Sequence, residues 1–215
     1  MKVVLCKIGN VCGLLAPVLW ASAIIFGASL RPEYSHFSQY ISELGERGSS
    51  TELIMRYAAF VPTVIIHIAF EAFLSFAFKD NPVAKFAAML IAVNGIARIG
   101  AGMFPCEVGC ALPRLLLSQK LHSLSAGVGF FALIGASLLW GIVFRRYQSL
   151  RDLSVYSFVS GCLALLFLAL MSWSAELRVG TGLYERLSTG LLSMWMLVFA
   201  VRLWRRKAYI INPWP

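Results

Sequence analysis

Charged side chains are scarce in this sequence: Asp, Glu, Lys and Arg together make up only 13% of its 215 residues, and hydrophobic residues make up 59%. In soluble globular domains about a quarter of the residues are charged. No polar stretch is long enough to form a separate soluble domain. The composition therefore excludes a soluble enzyme or binding module and predicts an integral membrane protein.

Common catalytic and nucleotide-binding motifs are also missing. The chain has three histidines, His36, His67 and His122, and no HExxH zinc motif. It has no serine in a GxSxG context, no phosphate-binding glycine loop and no GxGxxG fingerprint. Glu43, His122 and Glu185 together could form a metal site, but residue types alone favour no metal and no cofactor.

Six apolar runs have the length of about 20 residues that a helix needs to cross a bilayer core of about 30 Å. They span roughly residues 8–30, 53–78, 83–104, 122–144, 153–175 and 183–204. Ala21-Ser22-Ala23 resembles a signal-peptide cleavage site, but the apolar run continues to Leu30, so we expect the first helix to be retained. The predicted fold is an all-α, six-helix transmembrane bundle in which residues 1–215 form one domain.

Basic residues concentrate on one side of this bundle and predict its orientation. The formal net charge is +9. The bases on that side are Lys2, Lys7, Lys79, Lys85, Arg145, Arg146, Arg151, Arg202, Arg205, Arg206 and Lys207. Only Asp80 and Asp152 oppose them, whereas bases and acids balance on the other side. The positive-inside rule then places both termini in the cytoplasm, in the inner membrane, and assigns the bases to lipid head groups instead of nucleic acid.

Aromatic residues mark the ends of the helices and the first outer loop. Trp140, Trp204 and Trp214 stand near the basic helix ends, as in an aromatic belt. In the outer loop of residues 31–51, apolar residues recur at spacings of three and four: Tyr34, Phe37, Tyr40, Ile41 and Leu44. This periodicity predicts a short amphipathic helix that lies on the outer surface.

Short motifs at the outer ends of the helices resemble a known family. They are Ser42-Glu43-Leu44-Gly45, Phe104-Pro105, His122 and Gly182-Leu183-Tyr184-Glu185-Arg186. Together they resemble a family of prokaryotic six-helix membrane proteins catalogued as domain of unknown function 998. The resemblance spans nearly the whole chain and implies a shared fold and a shared polar patch on the outer face. It implies no substrate and no reaction.

The outer ends of the helices also carry the polar residues that point to a binding site. Glu43, His122, Tyr184, Glu185 and Arg186 belong near one membrane surface. Arg98 lies six residues before Phe104, about 9 Å below that surface at 1.5 Å per residue. An arginine at this depth costs about 2.5–3.5 kcal/mol unless it is paired or faces water. We therefore expect Arg98 to pair with Glu43 or Glu185 in an outward-facing pocket.

Three functions fit this constellation. In the leading one, Arg98 and Arg186 bind the head group of a small anionic amphiphile or lipid precursor, Glu43 and Glu185 position the arginines, and His122 tunes the site. In the second, His122 and a glutamate act as acid and base of a lipid-modifying enzyme. In the third, the same residues are ion pairs that fix the outer loops of an accessory subunit without a ligand. Membrane lipids are the expected partners, and protein partners are unknown.

Two further pairs of residues are candidates for function. His67 and Glu71 are four residues apart on the second helix, so they share a face and form either a buried pair or a proton path. Cys106 and Cys110 fall in an outer loop, where an oxidising compartment favours a disulfide over free thiols.

Overall fold

A computed structural model of the protein describes residues 2–110 and 116–206. Six α-helices account for most of this part of the chain: α1 (Lys2–Ser29), α2 (Val61–Ala77), α3 (Pro82–Met103), α4 (Leu117–Phe144), α5 (Leu153–Trp173) and α6 (Thr181–Arg205). A π-helical segment, Ile54–Phe60, leads directly into α2. The described residues contain no β-strand. Arg114, Lys207 and Trp214 lie outside the described residues.

All six predicted spans correspond to helices that are long and apolar enough to cross a membrane, so the chain is a multi-pass membrane protein. The largest differences from the sequence prediction are at two helix starts. The first helix begins at Lys2 instead of residue 8, and the fourth begins at Leu117 instead of residue 122. Hydropathy missed the first turn of α4 because Gln119 and Lys120 are polar, yet the Gln119 amide oxygen accepts a hydrogen bond of 2.8 Å from the backbone of Glu107.

The helices form a closed ring in chain order, because each packs against its neighbours in sequence and α6 packs against α1. Residues 30–53, 104–110, 116 and 174–180 therefore meet at one end of the bundle, which we call the long-loop end. Large aromatic side chains fill the core toward the opposite, short-loop end: Phe70, Trp140, Phe144, Trp195 and Phe199. The prediction that Trp140 belongs to an interfacial belt is wrong, because its ring is fully buried and lies 4.7 Å from the Phe199 ring.

The first long loop does not form the predicted amphipathic helix on the surface. Its only helical segment is the 3-10 turn Ile41–Gly45. Ile41 and Leu44 are almost fully buried and pack with Trp20, Met55 and Phe60. The apolar residues of the loop thus enter the ring between α1 and the π-helical segment, where burial removes more apolar surface from water than a helix lying flat on the bundle. This turn closes the long-loop end over α3 and α4.

Candidate functional site

Two groups of charged residues lie at the long-loop end, and they differ in how they are bonded. The first, which we call the loop cluster, comprises Arg31, Glu43, Glu46, Arg178 and Arg186. The second comprises the residues around Arg98, deeper between the helices. The sequence prediction had combined members of both into one pocket, whereas the structure separates them.

Glu43 is the centre of the loop cluster and is 2% exposed. One carboxylate oxygen accepts the backbone N–H of Tyr40 at 2.9 Å and an N–H of Arg178, and the other accepts the Gln39 amide at 3.0 Å. Arg178 also donates to the carbonyl of Gly109. Glu43 therefore joins the first long loop to the segments before α4 and before α6.

The other arginines of the loop cluster bind backbone and side chains of the same loops. Arg31 donates to the Glu43 carbonyl at 2.6 Å and to the Glu46 carboxylate at 3.3 Å. Arg186 donates to the Gln39 carbonyl at 2.9 Å, to His36 Nδ1 at 3.1 Å and to the Tyr34 hydroxyl. These bonds use the guanidinium groups within the protein, as expected for ion pairs that fix loops.

Burial and the neighbouring arginine set the protonation of two loop residues. Burial is the main reason that the pKa of the Tyr34 phenol is raised, so the neutral hydroxyl donates to the Tyr40 carbonyl at 2.8 Å. Burial, and then the charge of Arg186, lower the pKa of His36 below its ordinary 6.5. Neutral His36 can thus accept from Arg186 through Nδ1.

A disulfide between Cys106 and Cys110 closes the short segment that Arg178 and Glu46 bind. Glu46 accepts the backbone N–H of Gly109 at 2.6 Å, and the Ser42 hydroxyl lies 3.3 Å from Cys110 Sγ. Gly109 has a φ of 74°, a left-handed conformation that glycine adopts without strain. The disulfide and the loop cluster are therefore one connected structure over the helix ends.

Below the loop cluster, the residues around Arg98 line a cavity of about 90 Å³, the Arg98 cavity. Its polar lining comprises Ser42, Asn94, Arg98, His122, Ser125, Glu185 and Thr189. The Arg98 guanidinium stacks on the Trp20 ring, 3.9 Å from its centroid. The prediction that Arg98 pairs with Glu43 or Glu185 is wrong: among the described residues, no carboxylate forms an ion pair with it. The α1 aromatic ring occupies the position where a carboxylate was expected.

Of the six buried side-chain polar atoms that make no hydrogen bond within the described residues, three lie at this cavity, whereas Trp140 Nε1, Ser149 Oγ and Arg202 Nε lie elsewhere. Arg98 Nη1, Asn94 Oδ1 and Trp20 Nε1 are buried and make no hydrogen bond to any described residue. All three residues line the cavity. Buried polar groups are almost always hydrogen-bonded, because leaving one unsatisfied costs about 1–3 kcal/mol, and more for a charged group. At the cavity these atoms are two donors, Arg98 Nη1 and Trp20 Nε1, and one acceptor, Asn94 Oδ1.

His122 also lines the cavity, and its hydrogen bonds define its tautomer. Its Nδ1 lies 3.0 Å from the carbonyl of Ala101 and 2.9 Å from the carbonyl of Phe104, at the end of α3. Carbonyl oxygens only accept, so Nδ1 carries the proton. In the neutral ring Nε2 is then an acceptor, and no described residue donates to it. His122 thus links α3 to α4 with one nitrogen and leaves a lone pair on the other.

Glu185 is the acid of the cavity. It is 8% exposed, and its carboxylate accepts the backbone N–H of Ile41 at 2.6 Å. The 3-10 turn of the first loop is held over the cavity by this bond. Arg98, His122 and Glu185 are therefore the predicted site residues that the structure brings together.

The remaining predicted residues lie elsewhere. Tyr184 does not line the cavity and stacks on Phe167, with ring centroids 6.4 Å apart. His67 and Glu71 do not bond each other: His67 Nδ1 lies 2.5 Å from the Thr63 carbonyl, and Glu71 accepts the Ser75 hydroxyl at 2.7 Å. The predicted polar pair is therefore wrong, because each residue is satisfied on its own helix by a neighbour four residues away.

A larger hollow of about 540 Å³ adjoins the Arg98 cavity on the side of α4 and α5. Ser42, His122, Ala126, Phe130 and Glu185 line both spaces. Sequence analysis missed this hollow and also missed Trp20 and Asn94. Asn94 had a usable signal, since it lies four residues before Arg98 and thus on the same helix face. No sequence signal identified Trp20, because the spacing of residues along the chain does not show how α1 is rotated relative to α3.

Within residues 2–110 and 116–206, no three His, Cys, Asp or Glu side chains are grouped so that they could hold a metal ion. In comparisons with known proteins, the model of a family described as "Protein of unknown function (DUF998)" matches residues 14–202, from the middle of α1 to the end of α6. No curated protein and no solved structure matches the chain.

Proposed function

The chain belongs to the DUF998 family, and we propose that it binds the acidic head group of a small anionic amphiphile or lipid precursor in the Arg98 cavity. The observation that carries this proposal is the Arg98 guanidinium, which bonds no carboxylate of the described chain and whose buried Nη1 has no hydrogen-bond partner there. Arg matches carboxylate and phosphate oxygens with parallel N–H donors. An anion at this position would supply the acceptor that the protein does not.

The energetic cost of placing the Arg98 charge within the bilayer supports an anionic ligand. A charged arginine within the bilayer costs about 2.5–3.5 kcal/mol on insertion scales. Stacking on a desolvated aromatic ring returns about 2 kcal/mol, and the Trp20 ring is the only such contact of Arg98 among the described residues. A net cost of about 1 kcal/mol remains. A ligand carboxylate or phosphate would remove it.

Water is the occupant that competes with this proposal. A water molecule takes about 30 Å³ of liquid, so the 90 Å³ cavity has room for about three. Water would satisfy Nη1 but would not neutralise the charge. The experiment must therefore distinguish a retained ligand from a hydrated cavity.

We propose native mass spectrometry of the wild type, Arg98→Gln and Arg186→Gln, each extracted in a mild detergent. Arg186 is the matched control, because its guanidinium binds the first long loop instead of the cavity. We expect a discrete added mass on the wild type and on Arg186→Gln, and its loss from Arg98→Gln. Naked wild-type protein under conditions that retain annular lipid, or an added mass that survives Arg98→Gln, contradicts the proposal.

A lipid-modifying enzyme is the second candidate function, and the tautomer of His122 favours it. Nε2 is an unbonded base beside the cavity, held in place by the two α3 carbonyls. A general base must stand within hydrogen-bond reach of the proton that it removes. In a binding protein, His122→Gln should leave the added mass of the wild type in place. In an enzyme, the same variant should retain substrate mass where the wild type carries product.

We further propose that the long-loop end faces outward and that both termini are cytoplasmic, as the positive-inside rule indicates. Cys106 and Cys110 are buried, so exposed positions report orientation better. We expect an impermeant maleimide to label Glu33→Cys in intact cells and to leave Asp80→Cys unlabelled until the membrane is opened. The opposite pattern refutes this orientation.

A further inference from the structure

The hollow beside the Arg98 cavity has a polar end and an apolar side. Its polar end is shared with the cavity through Ser42, His122 and Glu185. Its apolar lining on α4 and α5 includes Phe130, Phe131, Leu168 and Met171. A volume of 540 Å³ falls within the range of sites that hold one small organic ligand. The two spaces together thus have the polarity of one amphiphilic molecule.

The hollow exists because α4 and α5 approach closely at only one end. At the short-loop end, a Cβ on Gly141 would lie 2.9 Å from the Phe158 ring, and one on Gly161 would lie 2.8 Å from Leu138. Nearer the long-loop end, a Cβ on Gly127 would meet no atom within 4 Å. The helices are therefore in tight contact below and apart above, where Gly127 lines the hollow.

The position of the hollow matches one leaflet of the membrane. On α4 its lining runs from Gln119 to Phe131, a rise of about 18 Å at 1.5 Å per residue. Half of a bilayer core is about 15 Å. Phe131 is 61% exposed on the outer surface of the bundle, where a spanning helix meets lipid. The edge of the hollow thus faces the hydrocarbon of the leaflet at the long-loop end.

We infer that the ligand is a single-chain anionic lipid, whose acidic group binds Arg98 while its alkyl chain lies in the hollow between α4 and α5. This inference rests on the proposed function of the Arg98 cavity. Such a ligand enters sideways from the leaflet, since the hollow borders the bilayer and its polar end leads to the cavity. A carboxylate and a phosphate monoester share the chemistry that Arg98 recognises, and the two are separated by experiment.

The test fills the hollow without disturbing the packing. The two variants are Gly127→Leu and Gly190→Leu. A Cβ added at either glycine would meet no atom within 4 Å, and Gly190 is at an exposed position of α6 outside the hollow. Both variants replace glycine within a helix by a better helix former, so both should fold. Gly190→Leu is therefore the matched control for Gly127→Leu.

Binding is measured by native mass spectrometry with four probes: hexadecanoate, hexadecyl phosphate, butanoate and butyl phosphate. The wild type should bind at least one long-chain probe, and Arg98→Gln should lose it. Gly127→Leu should weaken the long-chain probe by at least about tenfold, as lost burial of several methylenes requires. Gly190→Leu should bind it within about twofold of the wild type, and the short probe of the same head group should not distinguish the two leucine variants.

The head-group site at Arg98 and the position of the alkyl chain in the hollow are refuted by different results. If Arg98→Gln abolishes binding but Gly127→Leu binds the long chain as the wild type does, the head-group site stands and the chain does not lie in the hollow. If no probe binds the wild type, or if Arg98→Gln binds the probes as the wild type does, the head-group site itself is wrong. The choice between hexadecanoate and hexadecyl phosphate identifies the acidic group.

Discussion

The loop cluster and the Arg98 cavity both hold charged side chains at the long-loop end of the bundle. They differ in how completely those side chains are hydrogen-bonded within the protein. In the loop cluster, Glu43 is bonded by three donors and Arg178 by a carboxylate and a carbonyl. In the cavity, Arg98 Nη1 has no partner among the described residues. Saturated bonding is typical of charges that hold a structure together, whereas an unsaturated buried charge indicates a place for another molecule. In the function that we propose, this difference separates residues that fix the loops from a residue that binds a ligand, within a set that looks alike in sequence.

The largest effect is expected in the loop cluster. Glu43→Gln removes the charge that Arg178 binds and should lower the free energy of unfolding by about 3 kcal/mol, as for a buried ion pair that loses one partner. Denaturant titration in mixed micelles measures this change. The control is Glu33→Gln, whose side chain is 65% exposed, so that its pair with Arg31 should contribute little. Equal stability of both variants would remove the distinction between the two regions.

A smaller effect of opposite sign is expected in the cavity. Arg98→Met keeps the length of the side chain and removes its charge, so it should raise the free energy of unfolding of ligand-free protein by about 1 kcal/mol. The same titration measures it. Arg31→Met is the contrasting variant, because Arg31 donates to Glu33, Glu43 and Glu46 and its loss should be destabilising. A clear loss of stability in Arg98→Met would show that the guanidinium fixes the fold after all.

The smallest effect is expected in the pH dependence of stability, through His36 at the edge of the loop cluster. Burial and then Arg186 lower the pKa of His36 in the folded protein below 6.5, so the unfolded chain binds a proton more readily. The contribution of neutral His36 to stability is therefore present above pH 6.5 and is lost as the pH falls below it. Melting temperature against pH measures this loss. His36→Asn, which keeps an acceptor for Arg186 but does not titrate, should show a flatter profile between pH 5 and 7.

The depth of Arg98 below the membrane surface stays a prediction. The sequence did predict the six helices, because they follow from the length of the apolar runs. It did not predict the partner of Arg98, since that depends on how α1 and α3 are rotated against each other. Tyr34, Ile41 and Leu44 do recur at a helical spacing. In the folded protein, however, their side chains are buried in one cluster, and the segment Ile41–Gly45 is a 3-10 turn instead of a surface helix. The hollow was beyond the sequence, because it arises from the angle between two helices.

The contact between Arg98 and Trp20 has a consequence for biosynthesis. Trp20 lies on α1, so the ring that covers the guanidinium enters the membrane two helices before the guanidinium itself. The contacts that join Glu43 to Arg178 and Arg178 to Gly109 form later, because Gly109 is synthesised after α3 and Arg178 after α5. During translation the contact between Trp20 and Arg98 can therefore form once α3 has been inserted, whereas the α4 and α6 residues that line the cavity and the loops that cover it are added later. A nascent chain halted after α3 would hold the Arg98 charge against the Trp20 ring but would lack the loop contacts that cover the cavity in the finished protein.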